Sequence, residues 1–309
     1  MKLSIVIPVY FNEENLLPLY MDLKEKVLNQ LECEYEIVMV DDGSKDRSYE
    51  VILQLQVIDS HVIAVKLSRN FGEHAATLAA LSVCTGDCAV RKAADMQEDS
   101  AIVLDMLAKY EQGHKVVWAR RTDRQEPFFQ VLFSKTYTRL MQKLALPNMP
   151  DGGVDTFLID RQVIDYIVNQ NESNTPVTEQ ILWSGFTPGY VDYTRKKREI
   201  GKSKWTFSKK LKMAIDSLLG FSYFPVRLMS VIGIISMIGS IVIGIALIIR
   251  RLSGFIDVEG YTSIMVLILL SFGIIMFSIG ILGEYLWRAL DAARNRPPYI
   301  IEKITKKEQ

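Results

Sequence analysis

An α/β domain followed by two membrane-spanning helices is what this sequence predicts, on three observations. Short apolar runs alternate with helical patterns through the first two-thirds of the chain, two long uncharged apolar segments follow, and lysine and arginine crowd the stretches outside those segments. At 309 residues there is room for roughly two domains. The 49% hydrophobic and 23% charged content excludes a disordered or collagen-like chain, and 36 basic side chains cancel 36 acidic ones. A neutral chain gives no reason to expect a nucleic-acid partner. Cys33, Cys84 and Cys88 are too few and too irregularly spaced for a disulfide framework or a zinc site, and read as reduced thiols.

Taken in order, Leu3–Pro8 reads as a first strand, Asn15–Leu31 as a helix, Glu36–Val40 as a second strand and Ser44–Val57 as a helix. Val62–Leu67, a helix over Glu73–Val83 and a strand at Cys88–Arg91 complete the alternation. Strands separated by helices pair in parallel, and such sheets bind ligands beyond the carboxyl ends of their strands.

The first strand runs into Pro8-Val9-Tyr10-Phe11-Asn12-Glu13-Glu14, the second into Asp41-Asp42-Gly43-Ser44-Lys45-Asp46. Gly43 suits a positive φ, and Ser44 or Asp46 suits a helix cap. Two adjacent carboxylates at a strand end repel unless a ligand or hydrogen bonds offset them, which makes Asp41 a candidate ligand contact. The fourth strand leads to Asp95-Met96-Gln97, oxygen donors placed where a cation shared with a phosphate would sit. Magnesium and manganese take one or two protein carboxylates there and fill the rest of their shell with phosphate and water. Glu98 and Asp99 read as acids at the start of the next helix. His61, His74 and His114 are scattered and read as structural or exposed.

Leu228–Ile249 and Tyr261–Gly283 carry no charge over 22 and 23 residues. Each reaches about 33 Å as a helix, enough for a hydrocarbon core of about 30 Å. Arg195–Lys212 has nine basic residues against one acid and Arg288–Gln309 six against three, while the loop Arg250–Gly260 is balanced, so both ends are expected on the cytoplasmic side. Lys209–Arg227 mixes lysines with apolar residues at helical spacing and suits a helix in the headgroup layer, ended or kinked by Pro225. The first 20 residues lack a basic n-region and a cleavage site, so no signal peptide is expected.

Several stretches together carry a resemblance: Ile5-Val6-Ile7-Pro8-Val9-Tyr10 with Asn12-Glu13-Glu14; Val40 through Asp46; Ser68-Arg69-Asn70-Phe71-Gly72; Ala94-Asp95-Met96-Gln97; Arg195 through Trp205; and Gly283-Glu284-Tyr285-Leu286 followed by Arg296-Pro297-Pro298-Tyr299. In this order, with two spans behind them, they make the chain resemble family 2 glycosyltransferases of the polyprenyl-phosphate type, such as bactoprenol glucosyltransferases and dolichol-phosphate mannose synthases. The resemblance implies a GT-A, Rossmann-like domain in which Pro8, Tyr10, Glu13 and Asp41 hold the nucleotide. It also implies that Asp95 and Gln97 bind Mg2+ or Mn2+ on the donor diphosphate, and that a loop through Arg198, Ser203 and Lys204 closes over the phosphates. Cations of that density suit a leaving diphosphate and an incoming lipid phosphate.

Asp151 through Arg161 resembles the family's acceptor-side segment, with Asp155 near the transferred sugar and, beside Asp95, a candidate catalytic residue. Arg120, Arg121 and Arg124, with Ser134 and Lys135, lie where relatives recruit the lipid phosphate. One departure stands out: Ala93 replaces the first carboxylate of the family's usual Asp-x-Asp.

The expectation is an inverting transfer of a hexose, foremost glucose from UDP-glucose, to undecaprenyl phosphate at the cytoplasmic face of a bacterial-type inner membrane. The expected layout is a catalytic domain over 1–208, an interfacial helix over 209–227, two spans within 228–287 and a cytoplasmic tail over 288–309, in a homo-oligomer. Two alternatives stay open. An uncharged lipid hydroxyl as acceptor would need a true general base at Asp155, and a binding or assembly subunit with weakened catalysis would fit the loss at Ala93.

Overall fold

Eight strands form one mixed sheet in the order β7-β5-β6-β4-β1-β2-β3-β8. The computed structural model describes residues 1–121, 128–150, 156–170, 175–194, 222, 224–253 and 260–306. Its strands are β1 (Lys2–Val9), β2 (Glu34–Asp41), β3 (Val62–Leu67), β4 (Cys88–Arg91), β5 (Val116–Arg121), β6 (Phe157–Asp160), β7 (Pro188–Tyr193) and β8 (Ile301–Thr305). The helices are α1 (Glu13–Lys26), α2 (Ser48–Ile58), α3 (Glu73–Val83), α4 (Ile102–Glu111), α5 (Phe128–Leu144), α6 (Arg161–Asn169), α7 (Val177–Trp183), α8 (Phe224–Leu252) and α9 (Tyr261–Arg294).

β1 through β4 pair in parallel, each an almost unbroken apolar run buried on both faces, as a sheet with helices on both sides requires. Right-handed crossovers put α1 and α2 together on one face, while α3, which returns past β1 to reach β4, lies against α6 and α7. The alanines of α3 (Ala75, Ala76, Ala79, Ala80) let it approach the sheet closely. Leu3, Ile5, Ile7, Leu16, Leu19 and Met39 are among the fully buried core side chains.

β6 is antiparallel to both β4 and β5, and β8 is antiparallel to β3. The carboxyl ends of β1 to β5 and β7 therefore share one edge with the beginnings of β6 and β8. Thr156, immediately before β6, and Glu302, near the start of β8, thus reach the ligand-binding edge of the sheet.

The chain divides into two units, 1–217 with 296–309, and 218–295. The residues expected as a tail thus supply an edge strand of the eight-stranded sheet. In the second unit, α8 starts with Ser222 Oγ accepting the Phe224 N–H at 3.1 Å, and Pro225 sits in the first turn, where its missing N–H costs nothing. Pro225 therefore stands at the opening of this helix. α9 continues past Glu284 to Arg294 and ends at Asn295 in the left-handed region (φ 47°). Tyr285 Oη donates to the Ser222 carbonyl at 2.8 Å, joining the two helices of the unit. Phe224–Ile243 and Leu270–Arg294 are long and apolar enough to cross a membrane. Most of 209–227 lies outside the described residues.

Candidate active site

Pro8 occurs in the central strand, where a lost ladder donor would ordinarily be costly. Val6 accepts from the Lys92 N–H on the β4 side and Val9 accepts from the Asp42 N–H on the β2 side, so Pro8 faces β4. The register with β4 ends at Val6–Arg91, and Pro8 therefore falls where the strands part and no donor is needed.

The strand-end loops are tied to one another by backbone N–H groups. Phe11, in the left-handed region (φ 54°), donates to Ser44 Oγ at 3.0 Å, and Asn12 donates to Ser48 Oγ at 2.9 Å. The Arg47 N–H reaches Glu13 Oε2 at 2.8 Å, and Asp46 Oδ1 accepts from Ser48 at 3.2 Å. Glu13, expected at the nucleotide, thus has one oxygen bracing the first loop against the second.

Asp41 and Asp42 divide two tasks. Asp42 accepts from the Phe71 and Gly72 N–H groups at 2.7 and 2.9 Å, anchoring the loop after β3, and burial pushes its carboxyl up to about 6. Asp41 Oδ1 accepts from Ser44 N at 3.2 Å, whereas its buried Oδ2 has no hydrogen-bond partner among the described residues. Burial also raises the Asp41 carboxyl. Gly43 supplies the expected positive φ, +66°.

Between these loops lies a cavity of about 360 Å³ lined by Tyr10, Gly43, Ser44, Lys66, Arg69 and Glu302, among others. Tyr10 meets Phe11 edge-on at 4.7 Å between centroids, and Arg69 lies 4.1 Å over the Phe71 ring. Lys66 pairs with Glu302 at 3.0 Å, which raises the Lys66 amine.

After β4 the chain turns through Asp95 and Gln97. Asp95 Oδ1 accepts the Gln97 N–H at 3.2 Å, and Met96 between them is left-handed (φ 55°). Asp95 is half-buried at the sheet edge. Among the described residues no group of three histidines, cysteines or acids forms a self-sufficient metal cage.

Glu98 does not begin a helix, contrary to the expectation, since α4 starts only at Ile102. It is buried, as is Lys92, whose Nζ lies 2.6 Å from the Glu98 carbonyl and 3.7 Å from its carboxylate. Burial lowers the Lys92 amine. Asp99 instead accepts from the Ala101 N–H at 3.1 Å and pairs with Lys26 at 3.0 Å.

Arg120 makes a two-pronged pair with Asp192 on β7, at 2.7 and 3.1 Å, and Arg121 Nε donates to Tyr193 Oη at 3.1 Å. Both arginines expected at a lipid phosphate therefore fasten β5 to β7. Ser134 and Lys135 lie on α5. Arg124, Asp155, Arg198, Ser203 and Lys204 lie outside the described residues. The structure gathers Pro8, Tyr10, Glu13, Asp41, Asp95 and Gln97 at one edge of the sheet. Reading the sequence missed Glu302 and the roles of Asp42, Lys92 and Glu98. For Asp42 and Glu98 the available signal was a second acid beside a candidate ligand.

The model for "Glycosyl transferase family 2" matches residues 4–168. An uncharacterized glycosyltransferase of Bacillus subtilis, YkcC, is 35% identical over 97% of this chain and 93% of its own length. An undecaprenyl-phosphate 4-deoxy-4-formamido-L-arabinose transferase of Photorhabdus laumondii is 32% identical over 98% of this chain and 94% of that protein. A prophage bactoprenol glucosyl transferase homolog of Escherichia coli is 31% identical over 99% and 100%. Read with the mixed GT-A sheet and the loops gathered at its carboxyl edge, these matches make the chain a glycosyltransferase that belongs to glycosyl transferase family 2.

Proposed function

We propose that this enzyme transfers a hexose, foremost glucose from UDP-glucose, to a polyprenyl phosphate such as undecaprenyl phosphate at the cytoplasmic face of the membrane. The observation that carries the reading is the buried Asp41 Oδ2 at the end of β2, without a hydrogen-bond partner among the described residues and two residues before the Gly43 that lines the cavity. A carboxylate left this way is costly unless a ligand N–H fills it, and the imide N–H of a uracil is such a donor. Tyr10 offers a ring against which a base can stack.

Asp95 and Gln97 fit a hard divalent cation, Mg2+ or Mn2+. Both offer oxygen, the turn through Met96 brings them to the sheet edge, and one carboxylate suits an ion that draws its other ligands from phosphate and water. Such an ion, when bound, would neutralise charge on the diphosphate. Ala93 leaves Asp95 as the single acid of this turn.

The chemistry is a displacement. An oxygen of the acceptor phosphate forms the bond to the anomeric carbon, the bond from that carbon to the nucleoside diphosphate breaks, and its electron pair leaves with the diphosphate. Configuration inverts. A phosphate monoester with a second pKa near 6 is already anionic at neutral pH, so no proton need be removed. Asp155 then orients the acceptor or a sugar hydroxyl rather than acting as a base. Arg124, Arg198 and Lys204 supply charge to the two phosphate groups, and Ser203 a hydroxyl that can donate to one of them.

Two apolar helices fit the acceptor's location, since a lipid phosphate lies at the headgroup plane. Basic residues before the first helix and after the second support an arrangement with both ends cytoplasmic. Glycines along both helices suit close association, and we propose a homo-oligomer.

The test is transfer of labelled sugar from a panel of UDP- and GDP-hexoses to undecaprenyl phosphate in detergent, with and without divalent metal. The reading expects a metal-dependent lipid product from a UDP-hexose. Product from a GDP-sugar alone would overturn the donor, and no product from any donor despite UDP binding would overturn the acceptor.

A further inference from the structure

Three segments of the sheet edge meet at one buried carboxylate, and a fourth reaches it through Tyr193. Glu98 follows directly on the Asp95–Gln97 turn. Thr156 Oγ1, at the start of β6, lies 2.6 Å from each of its carboxylate oxygens, and Tyr193 Oη, at the end of β7, lies 3.4 Å from Oε1. Arg121, at the end of β5, donates to the same Tyr193 oxygen. Lys92 Nζ closes the group from below, and Glu98, Lys92, Thr156 and Tyr193 are all buried.

The segments held here lead into the parts of the chain that bear the acceptor-side residues of the proposed function. Thr156 follows Asp155, Tyr193 precedes the basic stretch from Arg195, and Arg121 precedes Arg124. We infer that Glu98 is a positioning residue that sets the donor-phosphate turn and the acceptor-side segments in one fixed relation. This rests on the reading of Asp95 and Asp155 given above.

Two physical arguments favour this over simple packing. A buried ion pair is often no more stabilising than apolar side chains of similar volume, and fixing one arrangement is its best-attested use. In addition, the hydroxyls of Thr156 and Tyr193 both serve the carboxylate, and hydrogen bonds to a buried charge in a low dielectric hold their donors tightly. The two substrates enter on different loops, and reaction requires them within a fraction of an ångström of line.

Substituting Glu98 itself would leave Lys92 buried without its counter-charge, so the test uses its partners. Thr156→Val keeps shape and removes the hydroxyl, Thr156→Ser keeps the hydroxyl, and Tyr193→Phe removes the second donor. In the full-length protein in detergent, Thr156→Val is expected to lower kcat for lipid-phosphate glycosylation by on the order of ten- to a hundredfold. UDP affinity by calorimetry should stay within about twofold, Thr156→Ser should restore kcat, and Tyr193→Phe should lower it less. Wild-type kcat in Thr156→Val, failure of Thr156→Ser to rescue, or a parallel loss of UDP binding would overturn the inference. Amide exchange gives a readout independent of the acceptor. Thr156→Val should speed exchange at the ends of both β5 and β7, and acceleration confined to the start of β6 would equally overturn it. Absence of lipid product from the wild type would overturn the acceptor reading instead, and the exchange result would still decide the role of Glu98.

Discussion

A Cβ placed on Gly43 would stand 2.6 Å from the carbonyl carbon of Arg69, so the loops after β2 and β3 approach as closely as their backbones allow. The Asn70 nitrogen would be 2.7 Å away, and the +66° φ of Gly43 adds a second penalty for any side chain. Gly43→Ala is expected to cost roughly 1–3 kcal/mol of stability and to weaken UDP binding, because both loops line the cavity. Chemical denaturation and nucleotide calorimetry on the variant check both, and an unchanged affinity would mean the loops can part without harm.

Asp42 carries a pH signature. Burial raises its carboxyl to about 6 from an ordinary 3.8, with the neighbouring Asp41 charge adding to the rise. Its contribution to stability is therefore fully present below the unfolded value and is lost as pH rises through the folded one. The stability difference between wild type and Asp42→Asn should shrink between about pH 4 and pH 7. Denaturant midpoints across that range test it, and a difference that grows with pH would contradict the assignment.

Asp95 is the single acid of its turn, with Ala93 two residues before it. Asp95→Asn should reduce transfer by at least about a hundredfold while UDP binding without metal persists. Ala93→Asp should lower the metal concentration needed for half-maximal activity. Metal titrations of the two variants decide this, and a wild-type metal response in Asp95→Asn would move the cation elsewhere.

Glu302 reaches the cavity from the far end of the chain and neutralises Lys66. Both side chains are partly exposed, so Glu302→Gln should leave folding intact. The donor KM should fall by roughly two- to fivefold with kcat unchanged, since the exposed pair is worth little and its loss leaves the Lys66 cation to face an anionic donor. Steady-state kinetics with varied donor test this, and a fall in kcat at saturating donor would assign the pair a different role.

Local pattern carried much of the fold. Val62–Leu67, Glu73–Val83 and Cys88–Arg91 have the bounds their apolar runs and helical spacing suggest, because each is buried by its own sequence signal. The second helix begins at Ser48, four residues later than its pattern suggests. Ser44 and Asp46 spend their side chains on the neighbouring loop's backbone and on the helix start, keeping residues 44–47 out of the helix. β8 was not legible: five residues, three of them exposed, find their partner in β3 more than 200 residues earlier. The place of Asp41 at the end of β2 was readable from the apolar run before it. Glu98 was not, since an acid before a helix looks the same whether it faces water or holds Thr156 and Lys92 in the interior.

The position of β8 in the chain sets the order in which the enzyme comes into being. Chains emerge N-terminus first, at about 5–20 residues per second, so β3 waits on the order of tens of seconds for the strand that covers its outer edge. Both apolar helices are made within that interval. Until β8 docks, β3 is an open edge able to pair with other chains, and the cavity at the strand ends lacks Glu302. Closure of that edge is thereby deferred until both apolar helices have been synthesised, which orders the maturation of the sheet after that of the helices.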